Sequence, residues 1–149
     1  MTVNFEIKHY TDLTLDEFHD SVSLRMEVFV VEQNAPYKDL DGYDKKAFHL
    51  LGKTEEGIVI STARILIPGA KYPKASFGRV VLDKEFRGKG LGHEMVIQMN
   101  RFIEEKFPNT GTKISAMLYL QKFYESHGFV RTSDVYLDCG IDHIDMVKE

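Results

Sequence analysis

Six residues constrain this chain more than any others. Arg87-Gly88-Lys89-Gly90-Leu91-Gly92 follow the β-rich run Ser76 to Leu82 by a short link and open a helical run from Gly90 to Phe107. Glycines at such a step let backbone N–H groups approach an anion, and the helix N-terminus adds partial positive charge. A phosphate or pyrophosphate is the natural ligand; the alternative is a glycine-rich connector with no ligand. Two phosphate motifs fit poorly. A P-loop needs Ser or Thr after its lysine, and Lys89 is followed by glycine. A dinucleotide fingerprint reads G-x-G-x-x-G at the first strand–helix turn, whereas this loop reads G-x-G-x-G past the middle of the chain.

The hydrophobic pattern around the loop alternates strands and helices. Val3, Phe5 and Ile7 alternate with polar residues as a half-buried strand does. Thr14 with Glu17 forms a capping box, and Phe18, Val22, Met26 and Phe29 predict a helix over 14–32. Asn34–Lys46, with Pro36, Gly42 and three aspartates, predicts a loop of functional length. Ala47–Lys53 and Ile58–Ile67 predict a hairpin turning at Thr54–Gly57. In the helix Gly90–Phe107, Leu91, Met95, Met99, Phe102 and Ile103 share a face, and Pro108-Asn109 stops it. Lys113–Leu118 predicts a strand and Leu120–His127 a short helix ended by Gly128. Val130–Leu137 and His143–Val147 predict two closing strands, so 1–149 reads as one mixed α/β domain.

Composition excludes several classes. The hydrophobic share of 43% and charged share of 28% are those of a folded globular chain. A net charge of -4 withholds the positive excess that nucleic acid demands. The longest apolar run, Ala116–Leu120, falls far short of the ~20 residues that span a bilayer. The N-terminus has no apolar stretch resembling a secretory signal. Cys139, the single cysteine, cannot form an internal disulfide, and no Cys/His spacing reads as zinc. The expectation is a cytoplasmic protein without metal, nucleic-acid partner or membrane anchor.

Arg87-x-x-Gly90-x-Gly92 at a strand-to-helix step resembles the pyrophosphate loop of the GNAT superfamily, the acyl-CoA-dependent N-acyltransferases. Phe123-Tyr124-Glu125-Ser126-His127-Gly128-Phe129 is similar to that superfamily's F-Y-x-x-x-G-F signature. Further segments, among them Arg25–Gln33, Asp41-Gly42-x-Asp44, Ala63-Arg64-Ile65, Gly78-Arg79-Val80 and Gly140-Ile-x-His143, resemble a small bacterial ElaA-like branch. The resemblance implies a GNAT-type fold: a mostly antiparallel sheet of six to seven strands with a splayed central pair, flanked by three to four helices. It also implies acetyl-CoA as co-substrate and, as acceptor, a small-molecule or peptide amine. Homodimers are common in the superfamily. The shared fold of acyl-homoserine-lactone synthases leaves a longer acyl donor open.

The resemblance assigns roles residue by residue. Amides of Arg87, Gly88, Lys89, Gly90, Leu91 and Gly92 bind the pyrophosphate. Val80 N–H polarises the thioester carbonyl, and the strand through Val81 to Leu82 pairs with the pantetheine arm. A preorganised donor at a developing oxyanion is worth ~3–4 kcal/mol. Tyr124 stands where the family has a tyrosine that meets the leaving thiolate, which a phenol can protonate; its alternative role is packing. Where some members keep a glutamate before the loop, this chain has Ser76, so the base is open among Glu32, Asp41, Asp44 and His49, and His49 reads equally as a histidine satisfied within its strand. Met117 replaces a glutamine frequent in the branch.

Arg64 and Arg79 lie in apolar β-rich runs and are expected to pair with Asp41 or Asp44, the alternative being to bind an acidic group of the substrate. Asp39, Asp41 and Asp44 would favour a cationic amine if they stood free. Asp142, His143 and Asp145 do not converge on a strand as a metal site requires. Cys139 has no activating neighbour, so direct transfer is simpler than an acyl-enzyme. The alternative to an enzyme is a non-catalytic acyl-CoA-binding or sensory module on the same fold; a weaker one is an unrelated nucleotide-phosphate binder.

Overall fold

Alternation at Phe5 and Ile7, at Phe48–Lys53 and along Val59–Leu66 builds the first half of the molecule. In the computed structural model, which describes residues 2–149, β1 (Asn4–His9), β2 (Phe48–Lys53), β3 (Val59–Leu66) and β4 (Ser76–Leu82) form an antiparallel sheet in that order. The β2–β3 hairpin closes where Gly57, at φ +82, donates its N–H to the Thr54 carbonyl at 2.9 Å. The second half holds β5 (Thr112–Met117), β6 (Val130–Arg131), β7 (Tyr136–Asp138) and β8 (Ile141–Lys148). There β5 flanks β8, and β6 and β7 also pair with β8.

Helix α1 (Leu15–Met26) starts in the expected capping box: the Glu17 N–H donates to Thr14 Oγ1 and the Thr14 N–H to Glu17 Oε1. Helix α2 (Leu91–Lys106) buries Met95, Val96, Met99 and Ile103. That stripe packs with Ile65 and Phe77 of one sheet and Ile114, Ile144 and Met146 of the other. Helix α3 (Gln121–Glu125) is short. One apolar core therefore joins both sheets.

Backbone pairing does not join them as fully. Ala75 and Thr112 form a parallel bridge, and the Lys113 N–H donates to the Ala75 carbonyl at 2.8 Å. No longer ladder connects β4 to β5 among the described residues, and a cleft lined by both strands opens between them. This is the expected splayed pair, and the two sheets together hold eight strands, close to the six or seven expected.

Three expectations need correction. The helix over 14–32 is α-helical only to Met26; Glu27–Glu32 form a π-helical turn, with the Gln33 N–H donating to Val28 O and Ala35 N–H to Val30 O. The buried face of α1 is also not the apolar stripe: Glu17, Ser21, Leu24 and Arg25 are buried, while Met26 is exposed. Ionic partners pull that face inward. Finally, Val130–Leu137 is not one strand: Ser133 Oγ takes the Asp145 N–H at 2.8 Å, interrupting the ladder between β6 and β7.

Candidate active site

The glycine loop is built to stay open. Gly88 and Gly90 adopt φ +78 and +80, a conformation side chains disfavour, and neither would meet an atom within 4 Å if given a Cβ. Gly90 is the N-cap of α2 and no side chain caps that terminus. The first-turn N–H groups of α2 therefore lack intrahelical partners and form the positive end of the helix dipole. The loop borders a cleft of about 670 Å³, shared with Val81, Leu82, Glu32 and Phe123.

Arg87 leads into the loop and is already engaged. Its Nη1 and Nη2 donate to the Glu32 carboxylate at 2.8 and 3.1 Å, and its Nε donates to the Leu82 carbonyl. The π-turn ends at Glu32, which places the carboxylate beside the loop. Glu32, expected among the bases, thus sits on the glycine-loop side and is an ion-pair partner of Arg87.

The loop cleft continues through the splay. Val80 and Tyr124 line both this cleft and a second, about 140 Å³, between β4 and β5; Phe29, Met117 and Leu120 do the same. Strand β4 bulges here: Thr62 pairs with Val81 and Arg64 with Gly78, leaving Arg79 and Val80 without partners on β3. Arg79 takes φ +50, the strain that re-aims the strand. Tyr124 is 6% exposed, and burial, then the nearby Tyr119, pushes its phenol above the ordinary range. Among the described residues its hydroxyl has no hydrogen-bond partner. Met117, in place of the glutamine, accepts a contact from Gln33 Nε2 on its sulfur at 3.8 Å. Ser76 is buried on the wall of the inner cleft.

Beyond the splay, three arginines and three aspartates interlock. Arg25, 1% exposed, donates to both Asp44 carboxylate oxygens and contacts Asp39 at 3.0 Å. Arg64 pairs with Asp41 at 2.6 Å and Asp44 at 3.4 Å. Arg79 reaches Asp39 and Asp41, each at 3.2 Å. The expected pairing of Arg64 and Arg79 is present, but Asp39 and Arg25 belong to it as well. Burial alone would raise the Asp41 carboxyl; bonds from Arg64, its charge, the Tyr43 N–H and Arg79 bring it instead to about 2. Burial opposes Arg25 and Arg64 at Asp44 too, and the arginines win, lowering it. The aspartates that would have favoured a cationic amine are neutralised within the fold.

His49 is the satisfied histidine of its two expected roles and not the base. It is 1% exposed and borders none of the clefts described here; its Nε2–H donates to the Asp44 carbonyl at 2.9 Å. Burial, outweighing the Asp44 contacts, holds its proton affinity down. It packs against Phe18 and Tyr10 as a core histidine. Arg25 was the residue missed. Its signal was an arginine beside Leu24 on a helix whose apolar stripe did not account for that position.

A third cleft, about 420 Å³, shares Phe29, Arg79, Met117, Asp138 and His143 with the inner one and opens past the loop Ala35–Asp41. Cys139 borders it, exposed, and desolvation with the adjacent Asp138 raises its thiol rather than activating it. No helix among the described residues is long and apolar enough to cross a membrane.

The acetyltransferase (GNAT) domain model matches residues 8–149. A UPF0039 protein of Synechocystis is 39% identical over 99% of this chain and 96% of its own. Protein ElaA of Escherichia coli is 33% identical over 99% of this chain and 97% of its own. A crystal structure of an acyl-CoA N-acyltransferase from Pseudomonas aeruginosa superposes with a TM-score of 0.94 at 36% identity, covering 99% of this chain and all of that one. With the glycine loop, the bulged strand and the splay already in place, these likenesses make the chain a member of the GNAT acetyltransferase family.

Proposed function

We propose that this protein moves an acetyl group from acetyl-CoA to a primary amine by direct attack. The observation that carries this reading is the continuity of the cleft: an open glycine loop at one end, Val80 and Tyr124 at the waist, and a separate mouth on the other side. Such a passage lets a donor and an acceptor meet from opposite faces, which converts a bimolecular encounter into a positioned one.

In this reading the amides of Arg87, Gly88, Lys89, Gly90, Leu91 and Gly92 hold the pyrophosphate, and Val80, Val81 and Leu82 run beside the pantetheine arm. The neutral amine adds to the thioester carbonyl; a C–N bond forms, the oxygen becomes an oxyanion at Val80 N–H, and the C–S bond then breaks. Tyr124, with an uncommitted hydroxyl, donates to the departing thiolate. Its raised phenol keeps the proton, so the hydroxyl stays a hydrogen-bond donor for the departing thiolate. Acidic bulk charge is no obstacle, because the anion meets local amides and Arg87.

The test is calorimetry with acetyl-CoA, then a panel of primary amines followed by thiol release and product mass. Binding and acetylation of at least one amine support the proposal. Binding without turnover across a broad panel favours the non-catalytic acyl-CoA module, and ATP competing where CoA does not overturns the loop assignment.

A further inference from the structure

An amine arrives as an ammonium and must lose a proton before it attacks, yet each base expected from the sequence is committed to an arginine or sealed in the core. Glu32 is held by Arg87, Asp41 and Asp44 by buried arginines, and His49 is sealed in the core. Resting on the acyltransferase reading, we propose that His143 is the catalytic base, accepting the acceptor's proton on Nε2.

His143 lies on β8 opposite Met117 of β5 and Tyr136 of β7, and it borders both acceptor-side clefts. Neighbouring Ile144 and Met146 are fully buried, so strand alternation sends His143 to the cleft face. Its Nδ1 is 2.7 Å from the Ile141 carbonyl. A carbonyl only accepts, so Nδ1 carries the hydrogen and Nε2 of the neutral ring keeps its lone pair. The ring also stacks on Tyr136, at 6.2 Å and 24° between planes. Tyr136 is itself tethered, donating to Asp145 at 2.7 Å and sharing a hydrogen bond with Ser115. One nitrogen is locked, Tyr136 stacks on the ring, and His143 borders the cavity reached by Val80 and Tyr124.

The proton inventory closes. The ammonium gives one proton to Nε2, and the resulting amine adds to the thioester. As the tetrahedral centre collapses, the thiolate leaves with a proton from Tyr124, and the amide nitrogen's surplus proton restores Tyr124 through the cleft. Imidazolium then loses its proton to solvent. The charged and titratable groups around the ring are Asp138 and Tyr136 on β7, Cys139 after it, Lys71 and Tyr72 from the β3–β4 connection, Arg79 on β4, Lys38 and Asp41 of the loop, and Asp145 with Lys113 beyond Tyr136.

The experiment compares wild type with His143→Gln and His143→Ala, using acetyl-CoA and an amine that the wild type acetylates, across a range of pH. Acetyl-CoA binding by calorimetry should be retained in both variants, which also certifies their fold. The kcat/KM for an ordinary alkylamine should fall about 10²-fold or more, its acid limb should move up to follow the amine's own ionisation, and added imidazole should restore part of the rate to His143→Ala. Hydroxylamine, neutral without help, should lose much less. An unchanged pH profile in His143→Gln overturns the base while leaving the acyltransferase intact. An acid limb moved in this way by Asp138→Asn instead assigns the base there. No acetyl-CoA binding, or no amine acetylated by wild type, removes the acyltransferase reading and this assignment with it.

Discussion

Two ionic regions flank the cleft, and they use the same chemistry to opposite ends. On the acceptor side Arg25, Arg64 and Arg79 are matched against Asp39, Asp41 and Asp44, and four of these six side chains are almost fully buried. On the loop side Arg87 meets Glu32 with side chains 41% and 37% exposed. Water screens the second pair but not the first. The buried set has no charge to offer a ligand, since every member is answered inside the fold, and it holds the Asn34–Lys46 segment against α1, β3 and β4. The exposed pair is exchangeable, so a polyanion can displace Glu32 from Arg87 at small cost. Burial decides which charges are structural and which are available.

The sharpest way to break this contrast is Asp44→Ala, which takes the shared carboxylate from Arg25 and Arg64 and leaves the interior one positive charge in excess. Removing one partner of a buried pair costs about 3–5 kcal/mol, so the urea midpoint should fall steeply; a loss within the range of a surface substitution would show the cluster to be solvated. Next comes Gly92→Asp. A Cβ there meets only Phe123 ring atoms at 3.7 and 3.8 Å, so the added carboxylate acts by charge rather than by strain. Acetyl-CoA affinity measured by calorimetry should drop about 100-fold, roughly 2.7 kcal/mol, and unaltered affinity sinks the loop as the pyrophosphate site.

Tyr124→Phe should slow single-turnover chemistry by about 10²-fold while leaving acetyl-CoA affinity within a few-fold. Equal rates in rapid-quench measurements would return Tyr124 to a packing role. Acid titration probes the buried and half-buried carboxylates together. Burial raises Glu17, but Lys53, the Thr14 N–H and Lys8 bring it from 4.5 to about 2, and Asp41 falls from 3.8 to about 2. Folded values below unfolded ones mean that this stabilisation is complete above about 4.5 and drains away as pH falls toward 2. Unfolding midpoints should decline across that window, and Glu17→Gln should flatten the decline; an identical slope removes Glu17 from it. The smallest effect belongs to Glu32→Gln, which frees Arg87: stability should change by less than about 1 kcal/mol, and acetyl-CoA should bind up to about fivefold tighter. Weaker binding would mean that Glu32 orients Arg87 instead of competing for it.

Residues whose fate is set by local chemistry were legible without coordinates. Thr14 and Glu17 announce the start of α1, Ser76–Leu82 matches β4 to the residue, and Gly128, at φ +91, ends the segment after α3. The glycine loop could be placed because φ above zero and an uncapped helix start leave a compositional mark. The π-turn left none: an i+5 bond changes no residue type, and Val28–Val31 read as a continuing helix. His49 and His143 look alike in a string of letters, each a histidine in a β-rich run. Only the third dimension seals one against Phe18 and Tyr10 and opens the other to the cleft.

The amino-acid sequence by itself determined the order of elements, the anion-ready loop and the apolar stripe of α2, because helical period, strand alternation and glycine stereochemistry act over a few residues. Tertiary structure alone decided how far β4 parts from β5, which arginine answers which aspartate, and which histidine borders the cleft. Those outcomes depend on groups far apart in the chain, Arg25 with Asp44 or Tyr136 with Ser115, whose energies exist only once burial has removed the water between them.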